Sequence, residues 1–139
     1  MKFARIAALS SVLLVVQTLM AVAGDCTTGH GAQMKVEGVA TGLSARISTN
    51  PAIVSVGSPF SASVVICGAK GTAIERFTID ATMPRHRHGM NYKPKIVSGA
   101  KHTYEASGLF FHMPGLWRFE VTVQAKQKRQ RFTYDVDVK

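Results

Sequence analysis

Acidic side chains are scarce in this chain: 8 Asp and Glu stand against 17 Lys and Arg. They are scattered, with Asp135 and Asp137 on the last apolar-alternating stretch, so no carboxylate pair for hydrolysis is indicated. Cysteine is nearly absent, with only Cys26 and Cys67. Without close C-x-x-C spacing, neither a zinc ribbon nor a dithiol redox centre is suggested. The chain has no Gly-x-Ser-x-Gly elbow, no phosphate-cradling Gly-rich loop and no His-Glu-x-x-His. These absences argue against an enzyme, and no catalytic residue is nominated. After residue 22 no apolar run is long enough to span a bilayer, which takes about 20 residues.

What is present begins with Lys2 and Arg5, followed by an apolar stretch over 6–22 that ends in Ala21-Val22-Ala23. That layout predicts a secretory signal peptide over 1–23, and hence a periplasmic or secreted protein starting at Gly24. Lipidation at Cys26 is disfavoured by Asp25, and a retained anchor by the short, interrupted apolar run. Residues 24–41, polar and rich in Gly and Thr, read as a lead-in. Residues 42–139 read as one domain with a modest core. Removing Lys2 and Arg5 leaves 15 basic side chains against 8 acidic, a net charge of +7. For an exported protein that excess favours an acidic or membrane-associated protein partner, or anionic headgroups, over nucleic acid. In an oxidising compartment Cys26 and Cys67 are expected to form one disulfide. On the chain-entropy model it closes a loop of about 40 residues, worth about 4 kcal/mol.

From Leu43 onward the pattern is strand-like. Residues 43–48, 60–67, 74–83, 95–97, 103–111, 116–123 and 131–138 alternate or are rich in β-branched and aromatic side chains, with Gly and Pro punctuation between them. About seven short strands in roughly 100 residues predict an all-β fold, an antiparallel sandwich of immunoglobulin-like type. Trp117 is the natural core anchor, and Tyr134 a candidate to close a corner with its hydroxyl.

The chemistry concentrates in Met83-Pro84-Arg85-His86-Arg87-His88-Gly89-Met90 and in His112-Met113-Pro114, which hold three of the five histidines and three of the six methionines. Imidazole suits Cu(II) and thioether suits Cu(I). His86, His88, Met90, His112 and Met113 are therefore candidate copper ligands, provided the two stretches meet at one pole of the sandwich. In the other reading they are structural, the histidines bonding a loop backbone and the methionines filling gaps. Arg85 and Arg87 would repel a cation unless they point away. His30 reads as a solvated tail residue. Lys126, Lys128, Arg129 and Arg131, at the final hairpin, form a candidate partner-docking surface, or else a solvated turn kept soluble by charge.

These two motifs, Met-Pro-x-His-x-His-Gly followed by Met-Pro-Gly-x-Trp, resemble those of the YtkA-like domain, a small exported β-sandwich related in shape to FixH-type accessory proteins. The resemblance runs from about Ile47 to Val138. It implies the sandwich fold and an accessory role connected with copper handling or respiratory-oxidase assembly.

Overall fold

The computed structural model describes residues 30–39, 41–68 and 71–139. Among the described residues ten antiparallel strands form two five-stranded sheets. The first sheet contains β1 (Ala32–Gln33), β3 (Ser44–Asn50), β4 (Pro59–Cys67), β8 (Thr103–Phe110) and β7 (Lys95–Ser98), in the order β1-β3-β4-β8-β7. The second contains β2 (Lys35–Glu37), β10 (Lys128–Val138), β9 (Gly115–Ala125), β5 (Ile74–Met83) and β6 (His88–Gly89), in the order β2-β10-β9-β5-β6. Without the three shortest strands, the order is first-second-fifth-fourth on one sheet and third-sixth-seventh on the other. That is the constant-type immunoglobulin arrangement, so the expected all-β sandwich is what the chain forms.

Alternation along the strands builds the core. On β9, Trp117, Phe119, Val121 and Val123 face inward and are buried, while Arg118, Glu120, Thr122 and Gln124 between them face out. Phe60 and Phe111 close the aromatic centre, with Phe111 stacked on Trp117 at 4.3 Å and tilted against Phe60 at 4.9 Å. Burying each such ring contributes on the order of 2 kcal/mol.

Several features depart from the sequence reading. Residues 32–37, placed in the lead-in, are edge strands: β1 pairs with β3 and β2 with β10, and Met34 is a core residue. The clamp holding this segment is Gln130, buried within the basic run. Its Oε1 accepts from Thr41 N and Oγ1, both at 3.1 Å, while its Nε2 donates to the Glu37 and Arg131 carbonyls. The last hairpin turns over only two residues, Lys126 and Gln127, so β10 starts at Lys128, three residues before the expected Arg131. On β5 a bulge inserts Glu75 between two residues that pair with consecutive positions of β9, Ile74↔Ala125 and Arg76↔Gln124. The bulge reverses the parity, so Ile74 packs on the core while Arg76 and Thr78 share the outer face. The tyrosine hydroxyl that reaches backbone is Tyr92's, onto the Phe110 carbonyl; Tyr134 packs half-buried against the core.

The signal peptide expected over 1–23 and Cys26 both lie outside the described residues. Cys67, at the end of β4, is not a free thiol. Among the described residues no helix is long and apolar enough to cross a membrane.

Candidate metal centre

The run Pro84 to Arg87 is a four-residue turn joining β5 to the short return strand β6. His86 N and Arg87 N both donate to the Met83 carbonyl, at 3.1 and 2.9 Å, and Arg87 takes a left-handed φ of 53°. β6 then pairs Gly89 with Thr82 and His88 with Met83, and the ladder continues as Met90 N donates to the Ala81 carbonyl. Residues directly opposite in an antiparallel pair share a face. Met83 and Ala81 are buried in the core, so His88 and Met90 belong to the inward row. Met90 packs against the core, whereas His88 sits where the sandwich opens and stays exposed.

The second motif crosses the same opening. The chain leaves the first sheet at Phe110 and enters the second at Gly115, with His112, Met113 and Pro114 between. Phe111 is buried, and its carbonyl accepts from Gly57 N at 2.9 Å. The Trp117 Nε1 donates to the Met113 carbonyl at 2.9 Å, so the core anchor also fixes the crossover. Gly115 has a φ of 121°, and a Cβ there would lie 3.2 Å from the Met83 Cε. The flexible Met83 tip could give way, so it is the left-handed φ that makes glycine the fitting residue at the crossover.

The two motifs meet. The His86 and His88 rings are 6.5 Å apart, centroid to centroid, and His88 and His112 are also 6.5 Å apart. His112 in turn stands edge-on to the Trp117 indole at 5.6 Å. Two imidazoles bound to one ion through bonds of about 2.0 Å hold their centroids about 5 to 6.5 Å apart, depending on the angle. The observed spacing matches only two imidazoles on opposite sides of an ion, which His88 cannot be to both neighbours at once, so the rings must come about 1 Å closer to share one. As the side chains stand, no three or more His, Cys, Asp or Glu groups among the described residues are arranged to hold a metal ion. All three imidazoles are exposed, so their side-chain rotation is not restricted by core packing. Met90 and Met113, on the same two stretches, are half-buried against the core. The donor types fit copper: the two motifs, residues 83–90 and 112–114, offer imidazoles and thioethers and contain no carboxylate to favour a harder ion. Arg85 and Arg87 are exposed.

Tyr92 carried no motif signal in the sequence, yet it ties the two stretches together. It lies two residues after Met90, and its hydroxyl donates to the carbonyl of Phe110, two residues before His112. Burial pushes its phenol above the ordinary range, so the group stays protonated and donating.

The basic residues are elsewhere. Lys126 lies in the β9–β10 turn and Lys128, Arg129 and Arg131 on the start of β10, at the opposite pole. Their environments differ. Lys128 belongs to the inward row of β10 with Gln130 and Phe132, Arg129 and Arg131 face out, and Arg131 is 3.7 Å from Glu120. They do not lie on one face of the sheet.

No protein-family model matches the chain, and no curated protein matches it. Among solved structures it is similar to a DUF4426 family protein from Pseudomonas aeruginosa PAO1, with a TM-score of 0.50 and 18% identity over 74% of this chain and 94% of that one. At that identity the likeness concerns the fold alone, so likeness to YtkA-like domains rests on the two motifs, and the comparison places this chain among small β-sandwich domains.

Proposed function

We propose that this protein is an exported, non-catalytic accessory module that binds copper transiently through His86, His88, Met90, His112 and Met113, for delivery to or assembly of a metalloprotein such as a respiratory oxidase. The observation that carries the reading is the chain of ring contacts His86–His88–His112, in which two segments separated by more than twenty residues bring three imidazoles to one open pole. Exposed imidazoles suit a cargo that must be handed on, and a set that mixes thioethers with imidazoles accommodates both oxidation states. The alternative is a metal-free interaction domain in which these loops are structural. The turn bonds to the Met83 carbonyl and the packing of Met90 and Met113 against the core favour it. Export also implies the Cys26–Cys67 disulfide.

Trp117 is the one tryptophan of the chain, and its indole lies against His112, so it reports on the site directly. Titrating the purified protein with Cu(II) should quench its fluorescence, and competition with a Cu(I) chelator should show binding of the reduced ion. Affinity in the micromolar range or tighter, reduced at least tenfold in a His86→Ala, His88→Ala double variant, supports the copper reading. Affinity no greater than that of an unrelated histidine-bearing domain supports the metal-free one.

A further inference from the structure

The outer face of the second sheet carries a concavity that the copper reading does not use. It is lined by Glu75, Arg76, Thr78, Thr122, Gln124 and Arg129. Register explains its form. Arg76 of β5, Gln124 of β9 and Arg129 of β10 lie in one row across three strands, and Thr78 and Thr122 stand in the next. The central strand thus provides a polar floor of Gln124 and Thr122. The two arginines flank it with Cα atoms about 10 Å apart, two strand spacings. Their side chains are long enough for both guanidinium groups to meet over the floor.

Five observations give this arrangement a direction. The bulge at Glu75 is what puts Arg76 on the outer face, in line with Arg129. The other arginines of this face are engaged: Arg118 makes a two-pronged pair with Asp135 at 2.7 and 2.8 Å, and Arg131 pairs with Glu120. No ion pair holds Arg76 or Arg129 among the described residues. The Gln124 amide is held by the Lys126 carbonyl at 2.8 Å, which steadies the floor. Glu75 is the one acid on the rim, leaving two positive charges against one negative.

We infer that this concavity is a binding site for a phosphoryl-type oxyanion, held between the Arg76 and Arg129 guanidinium groups with the Thr78 and Thr122 hydroxyls beneath. Guanidinium groups present paired N–H donors that match the oxygens of such an anion, and two of them from opposite sides leave the floor hydroxyls to satisfy the rest. The site is shallow and solvated, so binding is weakened by salt. The phosphoryl group can come from free phosphate or from a lipid headgroup, and the experiment separates the two.

The test is an amide chemical-shift titration of the full protein with inorganic phosphate at fixed ionic strength, with chloride as reference. The expected result is a saturable set of shifts centred on Arg76, Thr78, Thr122, Gln124 and Arg129. An Arg76→Gln, Arg129→Gln double variant should weaken them at least tenfold, while the charge-matched Lys93→Gln, Lys95→Gln variant leaves them unchanged. In a second arm the protein is mixed with phosphatidylcholine vesicles containing phosphatidylglycerol. Binding that the arginine variant abolishes and free phosphate displaces assigns the headgroup as the source, whereas phosphate shifts without vesicle binding assign the free ion. Shifts equal to those in chloride, or lost equally in both charge variants, overturn the assignment.

Discussion

At the scale of single residues, the arrangement depends on side chains that hold loops rather than on those that would touch an ion. Tyr92 is the clearest of these, because its bond to the Phe110 carbonyl ties the segment after Met90 to the segment before His112. Tyr92→Phe removes one partly buried hydrogen bond, which should cost about 1 kcal/mol of stability. It should also weaken copper binding several-fold while leaving the circular dichroism spectrum unchanged, and the two are separated by comparing urea midpoints with Cu(II) quenching. Of this layer the sequence showed only part. Trp117 was legible as an anchor because a lone tryptophan in an alternating strand belongs in a core. The role of Tyr92 was not, because its partner is a main-chain carbonyl eighteen residues away and no spacing rule points to it.

Elements show where local pattern suffices and where it fails. The β5 strand was readable from its alternation, and its end at Met83 from Pro84. The bulge at Glu75 was not, since an inserted residue looks like any other position until the partner strand is known. The strand β6 was hidden for a related reason: two residues between a proline turn and a glycine read as loop, yet their pairing is what sets His88 and Met90 on the inward row. Gln130 was concealed inside a run of basic residues, although its parity with Phe132 marks it as inward. Gln130→Ala removes four hydrogen bonds of a buried amide and leaves the Thr41 and Glu37 backbone groups without their partner. The expected loss is about 2 kcal/mol, seen as a lower urea midpoint and as earlier proteolysis ahead of β2.

Charge on the outer face of the second sheet makes a separate prediction at this scale. The Arg118 guanidinium holds the Asp135 carboxyl below the usual carboxylate range. A carboxyl whose folded pKa is depressed contributes stability above its unfolded pKa, and that contribution is lost as pH falls through the folded value. Both side chains are about two-fifths exposed, so the pair is worth only about 0.5 kcal/mol. Asp135→Asn should therefore lower stability slightly at pH 7 and hardly at all once the pH is below the lowered pKa, as urea unfolding at the two pH values would show.

For the whole molecule, the sandwich separates the histidine motifs from the basic hairpin. β9 runs its full eleven residues from the crossover beside the imidazoles to the basic hairpin, which sets the two poles about 35 Å apart. A metal at one end does not compete electrostatically with an anion or acidic partner near the other at physiological salt, where charges this far apart are screened. The histidine pole can thus be tested apart from the basic hairpin: changing Lys126, Lys128, Arg129 and Arg131 together should leave copper affinity within twofold, as measured by Trp117 quenching. The sandwich itself was legible in the sequence from seven well-spaced strands. That its connections bring both motifs to one pole follows from the strand order, which no single stretch of the chain encodes.

The convergence of the two loops on one ion is tested most directly by pulsed electron paramagnetic resonance of the Cu(II)-loaded protein, which counts bound imidazoles. The account predicts at least two imidazoles on one copper in the unaltered protein, and one fewer in His112→Ala, whose histidine lies on the separate crossover. A single imidazole, or a count that His112→Ala leaves unchanged, would contradict it.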